Sequence, residues 1–217
     1  MSYRIPLFPL PSAVLFPRTH MALHIFEPRY RLMMEEVMSG TKRLGFAQLR
    51  EGYEKDYFGS PPIHRTFTSC RVLDAENLHD GKWNIIIEGV ERVALVREHQ
   101  TEPFRIAEVV PVHDHFRKSD LAEIRSLASQ IAQAAEQLGE KLPGSPGPMS
   151  NLQNVLQHPS IICDVVTGAF VRDPYARQSI LDEVDLRRRL QLLRIQLLTL
   201  AGDLREDGVE IDLFLSE

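Results

Sequence analysis

Cysteine is scarce: Cys70 and Cys163 are the only two in 217 residues. Two thiols build neither a disulfide framework nor a four-thiolate zinc site. Tryptophan occurs once, at Trp83. No uninterrupted apolar stretch approaches the roughly 20 residues that a membrane-spanning helix needs. The apolar N-terminus is broken by Pro6, Pro9 and Pro11, and it lacks the smooth apolar core and small-residue cleavage site of a signal peptide. The expectation is a soluble, cytoplasmic protein without a membrane partner. A basic excess is missing too. Lysine and arginine total 25 against 30 acidic residues, a net charge of −5, and neither 1–115 nor 116–217 carries more bases than acids. That balance argues against a nucleic-acid partner.

Catalytic signatures are absent as well. There is no G-x-x-x-x-G-K-[ST], the one Gly-Lys pair being Gly81-Lys82 followed by Trp83. Neither G-x-G-x-x-G, H-E-x-x-H nor G-x-S-x-G occurs. Nucleotide hydrolysis, dinucleotide binding, zinc peptidase and serine hydrolase chemistry therefore have no sequence warrant. No catalytic residue, no cofactor and no metal are expected, and the protein reads as a non-enzyme.

What is present is ordinary globular material, 43% hydrophobic, patterned in two ways. The first half carries short apolar pieces between prolines and polar turns: Leu7-Phe8, Val14-Leu15-Phe16 and Leu23-His24-Ile25-Phe26. These read as strands of a small sheet or barrel. One helix interrupts them, opened by Pro28, with Tyr30, Met33, Met34, Val37 and Met38 at helical spacing and a left-handed stop at Gly40. Strands follow over 44–50, as a hairpin over 66–88 turning at Asp80-Gly81, and over 90–96 and 104–112, about six in all.

After His115 the period becomes helical. Ser119 stands where a cap would, ahead of Leu121, Ile124, Ala128, Ile131, Ala135 and Leu138. A Pro/Gly linker is expected over 139–150, around Pro143-Gly144-Ser145-Pro146-Gly147-Pro148. A short buried helix over 160–171 ends before Asp173-Pro174. In the last helix Leu186, Leu190, Leu193, Leu197, Leu200 and Leu204 form a stripe expected to pack on the chain's own helices, with coiled-coil pairing as the alternative.

Several residues could carry chemistry. His113-x-His115 with Asp114, and His20 with His24, are imidazole sets that suit metals. The first lies at a strand-to-helix junction, where Asp114 serves equally as a turn residue, and His24 reads as a hydrogen-bonded core or rim histidine. Both cysteines read as small buried hydrophobes. Arg187-Arg188-Arg189, interleaved with Asp182, Glu183 and Asp185, reads as a charge-balanced solvated face.

Ile5-Pro6-Leu7-Phe8-Pro9-Leu10, Val14-Leu15-Phe16-Pro17 and Leu23-His24-Ile25-Phe26-Glu27-Pro28-Arg29-Tyr30 resemble the opening of the N-terminal, substrate-binding domain of Lon proteases. Glu88-Gly89-Val90-Glu91-Arg92-Val93 resembles that family's E-G-x-x-R strand pair. Asp173-Pro174, Arg177-Gln178-Ser179-Ile180-Leu181-Asp182 and Arg189-Leu190 resemble its helical tail. Phe67-Thr68 stands where the family often has Gly-Thr. The resemblance implies an α+β fold: a PUA-like β-barrel of about six strands plus one short helix over 1–115, then an α-helical subdomain over 116–217. The family's ATPase and Ser-Lys peptidase domains have no counterpart in these 217 residues, so a stand-alone form is expected. The implied role is non-catalytic binding of unfolded, tagged or apolar polypeptide segments, as an adaptor or holdase, with a separate protease or chaperone as a further partner. A PUA-like RNA-binding module and a small-molecule-sensing domain are the alternatives. Met21, Met33, Met34 and Met38 cluster within 18 residues and are the polypeptide-binding candidates, since methionine is adaptable and polarisable. The competing reading puts them between the helix and the barrel.

Overall fold

The computed structural model describes residues 1–100, 102–142, 152 and 155–209. The chain divides into two compact units, Met1–His113 and Asp114–Glu217. Together they make an α+β architecture with six strands and five α-helices among the described residues.

The first unit holds β1 (Tyr3–Leu10), β2 (His20–Ile25), α1 (Pro28–Ser39), β3 (Arg43–Gln48), β4 (Thr66–Asn77), β5 (Trp83–Gln100) and β6 (Arg105–Pro111). The strand order is β2-β5-β4-β3-β1-β6, and β5 also pairs with β6, so the sheet curls round in a barrel-like arrangement. Only β1 and β3 run parallel; the other pairings are antiparallel. Two cores result from the period-two alternation of the strands. Ile5, Leu7, Ala47, Phe67, Val93, Ala107 and Val109 gather inside the curl. Phe8, Ile25, Leu44, Phe46, Ile85 and Ile87 face the other way, and Tyr30, Met33, Met34 and Val37 of α1 close over them.

β5 organises this unit. The sequence suggests separate strands near 83–87 and 90–96; the structure has one strand of 18 residues. Its first half pairs with β2 and its second half with β6, while β4 runs beside both. Register shifts after Ser69, Val72, Leu95 and Glu98 bend the ribbon so that one strand serves two neighbours. Gly89 marks the changeover. A Cβ there would collide with the carbonyl oxygen of Phe16 and come within 2.7 Å of its carbon, so only glycine permits the approach. Residues 14–16, expected as a strand, are instead a buried loop pinned by this contact: Arg18 N–H donates to Gly89 O (2.7 Å) and Gly89 N–H to Thr19 O (2.9 Å). The Thr68 hydroxyl donates to Leu15 O from the opposite side.

Two further details differ from expectation. Gly40 ends α1 with φ −109°, not left-handed; the left-handed residue is Lys42, with φ 56°. Phe67, expected from the resemblance to stand at a glycine position, sits in the paired part of β4, and its ring occupies the space above Gly45, 2.8 Å from where a Cβ would stand. A glycine on β3 admits the bulk on β4.

The second unit comprises α2 (Leu121–Lys141), α3 (Pro159–Phe170), α4 (Pro174–Asp182) and α5 (Leu186–Glu206). α5 packs on α2, α3 and α4. Its buried face is Leu186, Arg189, Leu190, Leu193, Leu197 and Ala201, so the expected stripe drifts from Leu200 and Leu204 onto Ala201. A 3.6-residue turn produces this drift where a 3.5-residue coiled-coil seam would not. Asp173 and Asp185 cap α4 and α5, accepting from the N–H of Ala176 (2.7 Å) and Arg188 (3.1 Å). Ser119 caps nothing: its hydroxyl donates to Asp120, and α2 begins after a 3-10 turn. The break placed at Gly139 begins later, because α2 runs to Lys141; residues 143–150 lie outside the described residues.

The arginine triplet is not uniformly solvated. Arg189 has 0% exposure and donates to Asp114 Oδ1 (2.7 Å), Ser160 Oγ (3.1 Å) and Glu183 O (3.2 Å). Its ion-pair partner is the Asp114 carboxylate, 75 positions away, and a buried guanidinium requires such a partner. Arg187 meets Glu123 (3.4 Å) and Arg188 is exposed.

Candidate functional surface

The motif residues at the start of the chain are mostly structural. Tyr30 is buried, its ring edge-on to Phe8 at 4.6 Å, and burial pushes its phenol up to about 12. Arg29 pairs with Glu27 (3.0 Å) and lies over the Tyr30 and Tyr57 rings at 4.7 and 5.6 Å. The Tyr57 hydroxyl donates to Glu27 Oε1 (3.2 Å). The run Glu27-Pro28-Arg29-Tyr30 thus starts α1 and holds residue 57 of the long loop against it.

The methionines divide. Met33 and Met34 are wholly buried in the core under α1, and Met21 and Met38 pack on that same core while keeping some exposed surface. A helix laid on a sheet turns residues 33, 34 and 37 inward whatever their chemistry. Met33 and Met34 therefore lie out of reach of a partner in the folded state.

One exposed apolar strip lies on the face of β2 turned away from that core. His20, Ala22 and His24 alternate outward along β2, and Phe26 continues the row at 59% exposure. Register carries the row across three strands. Ala22 lies beside Ile86, and Ile86 beside Asp74; His24 lies beside Asn84, and Asn84 beside Glu76. Ile86 is 41% exposed. The second row is hydrogen-bonded: the Asn84 amide donates to Glu76 Oε2 (3.2 Å), and its oxygen lies 2.8 Å from His24 Nδ1. An amide oxygen only accepts, so Nδ1 is the donor. The His24 ring also stacks near Phe26, 6.2 Å between centroids. A groove of about 400 Å³ runs over these rows.

His24 is thus exposed, not a core residue. Its outward position follows from the strict alternation 20, 22, 24, 26, a signal masked by apolar Leu23 and Ile25 on either side. His20 lies 3.9 Å from Glu88, and His113 and His115 are exposed. Among the described residues no group of three His, Cys, Asp or Glu could hold a metal ion. Neither Cys70 nor Cys163 is in a disulfide and both are fully buried, and burial pushes the Cys70 thiol up, away from the reactive thiolate. No helix among the described residues is long and apolar enough to cross a membrane.

The comparisons give this barrel-like α+β unit and the second, helical unit a family. Residues 4–199 match the model of the ATP-dependent protease La (LON) substrate-binding domain. The chain belongs to that family. It is 22% identical over 193 residues to the Lon protease of Desulfosudis oleivorans and 28% identical over 186 residues to Lon protease 4 of Sorangium cellulosum. These alignments cover 89% and 86% of this chain but 23% and 22% of the two proteases; the chain spans under a quarter of their length. The crystal structure of a Lon N-terminal domain protein from Xanthomonas campestris superposes with a TM-score of 0.60 at 21% identity, covering 91% of this chain and 98% of that one. The N-terminal domain of the Mycobacterium avium complex Lon protease gives 0.65 at 13% identity, covering 90% and 98%. At such identities the structural likeness shows the fold.

Proposed function

We propose that this protein is a non-catalytic polypeptide-recognition module that holds exposed apolar segments of unfolded proteins on the outer face of β2, β5 and β4, acting as an adaptor or holdase. The observation that carries the reading is the exposed row of Ala22, His24, Phe26 and Ile86 on a member of a substrate-binding family. Apolar groups left in water at neighbouring positions gain by covering. The chemistry needed is surface alone, which agrees with a sequence lacking hydrolytic motifs.

Fluorescence anisotropy with a labelled, permanently unfolded polypeptide tests it. Binding that persists in 0.5 M salt is expected, because apolar burial is insensitive to screening. Salt-sensitive RNA binding without polypeptide binding would overturn the reading, since phosphate contacts release counterions. Suppression of aggregation by the protein alone marks a holdase. An effect seen only with a separate protease or chaperone marks an adaptor.

A further inference from the structure

We propose that the groove over β2, β5 and β4 selects extended segments in which an apolar side chain is followed closely by lysine or arginine. This inference rests on the polypeptide-binding reading and names the class of segment. Three lateral rows cross the strands, and each has its own chemistry. In the first, His20, Glu88 and Arg71 are neighbours, and the charges are matched: Arg71 meets Glu88 at 2.8 Å. The second, Ala22, Ile86 and Asp74, begins apolar and ends in a carboxylate. The third, His24, Asn84 and Glu76, ends in another.

Neither carboxylate at the β4 end faces a cation among the described residues. Asp74 Oδ1 accepts only the N–H of Ala75 (3.0 Å), and Glu76 Oε2 accepts the neutral Asn84 amide. The nearest lysine along the hairpin, Lys82, is taken by Asp80 at 2.6 Å. The groove therefore presents an apolar floor at Ala22 and Ile86, with two unmatched negative charges one to two strand spacings away. Strands lie about 4.8 Å apart, and side chains on one face of an extended segment repeat at about 7 Å. An apolar side chain seated between Ala22 and Ile86 thus places a long cationic neighbour over Asp74 and Glu76. A glutamate at the same place meets like charge.

The test uses the full chain and three labelled extended peptides sharing one leucine-phenylalanine centre, flanked by lysine, serine or glutamate. In 0.1 M salt the lysine form is expected to bind about tenfold tighter than the glutamate form. In the double variant Asp74→Asn, Glu76→Gln, the ratio of lysine-form to glutamate-form affinity falls to about twofold or less. Ile86→Ser weakens all three forms together. Equal affinity for the three peptides in the wild type overturns the charge selection and leaves polypeptide binding standing, as does a lysine preference that survives the double variant. Failure to bind any peptide or the unfolded polypeptide overturns both. A concentration-dependent dimer abolished by Ile86→Ser assigns the groove to a second copy of this chain and overturns the proposal. Circular dichroism of each variant, expected to match the wild type because all three side chains are exposed, separates lost binding from lost fold.

Discussion

The two ends of β5 lie in the same sheet and share a partner in β4, yet their polar groups are arranged differently. At the end beside β6, charge is consumed internally. Arg105, almost wholly buried, holds Glu98 with both ends of its guanidinium (2.6 and 2.7 Å) and donates to Pro61 O (2.8 Å). Glu108 accepts from Ser2 (2.7 Å), Arg97 (3.0 Å) and His99 (2.9 Å). At the end beside β2, Ile86 and Phe26 stand in water, and Asp74 and Glu76 lack a cation among the described residues. Groups that stabilise a fold are satisfied within it, while a surface meant for a partner leaves its apolar and charged groups open. The contrast lies in the charges, since Val96 is exposed at the β6 end as well, and on the proposed reading the β2 end serves recognition.

The most severe way to break this arrangement is at the changeover. Gly89→Ala forces the Phe16–Pro17 backbone off β5 and is expected to cost about 3 kcal/mol, read as a lowered urea midpoint with an unchanged slope. An unaffected midpoint would mean that loop 14–19 yields freely and that the two ends are not held apart at Gly89. Next is Glu98→Ala, which strands the Arg105 guanidinium with only the Pro61 carbonyl. A loss of about 2 kcal/mol is expected, against less than about 0.5 kcal/mol for Phe26→Ala at the exposed end. Thermal unfolding of the two variants side by side compares the ends directly.

The smallest effect expected is pH-dependent. Hydrogen bonds from Ser2, His99 and Arg97 hold the Glu108 carboxyl down to about 2, well below its ordinary 4.5. A group depressed on folding stabilises above its unfolded pKa, and that contribution is lost as pH falls through the folded value. Glu108→Gln should therefore be less stable than wild type at pH 6, and the gap should close as pH falls from about 4.5 towards 2. A gap independent of pH in urea titrations would deny the carboxylate its part in that cluster.

Much of this molecule was legible from local pattern. Helix α1 starts at Pro28 because proline fits a first helical turn, and the switch from two-residue to helical period separates a sheet-forming stretch from a helical one. The family motifs were legible as well, since their residues recur in fixed order and spacing. Local pattern failed where a residue's fate depends on a distant partner. Arg189 sits in an acid-rich helix start that reads as solvated, yet it is buried and paired with Asp114, 75 positions away. Residues 14–16 carry the apolar run of a strand, but the approach of Gly89 makes them a loop. β5 reads as two strands because bulges and a glycine interrupt its alternation, while its partners keep it continuous.

The candidate surface shows the same division. Three of the four clustered methionines, Met33, Met34 and Met38, lie on α1, yet the helix covers a sheet, and covering it buries Met33 and Met34. The alternation of His20, Ala22, His24 and Phe26 was in the sequence from the start. What it faced was not, because Ile86, Asp74 and Glu76 are brought beside it only by strand register across about 50 to 65 positions. Composition and periodicity determine which elements form, since those depend on neighbours along the chain. Which face of each element meets water depends on pairing between distant segments, and only the tertiary structure decides that.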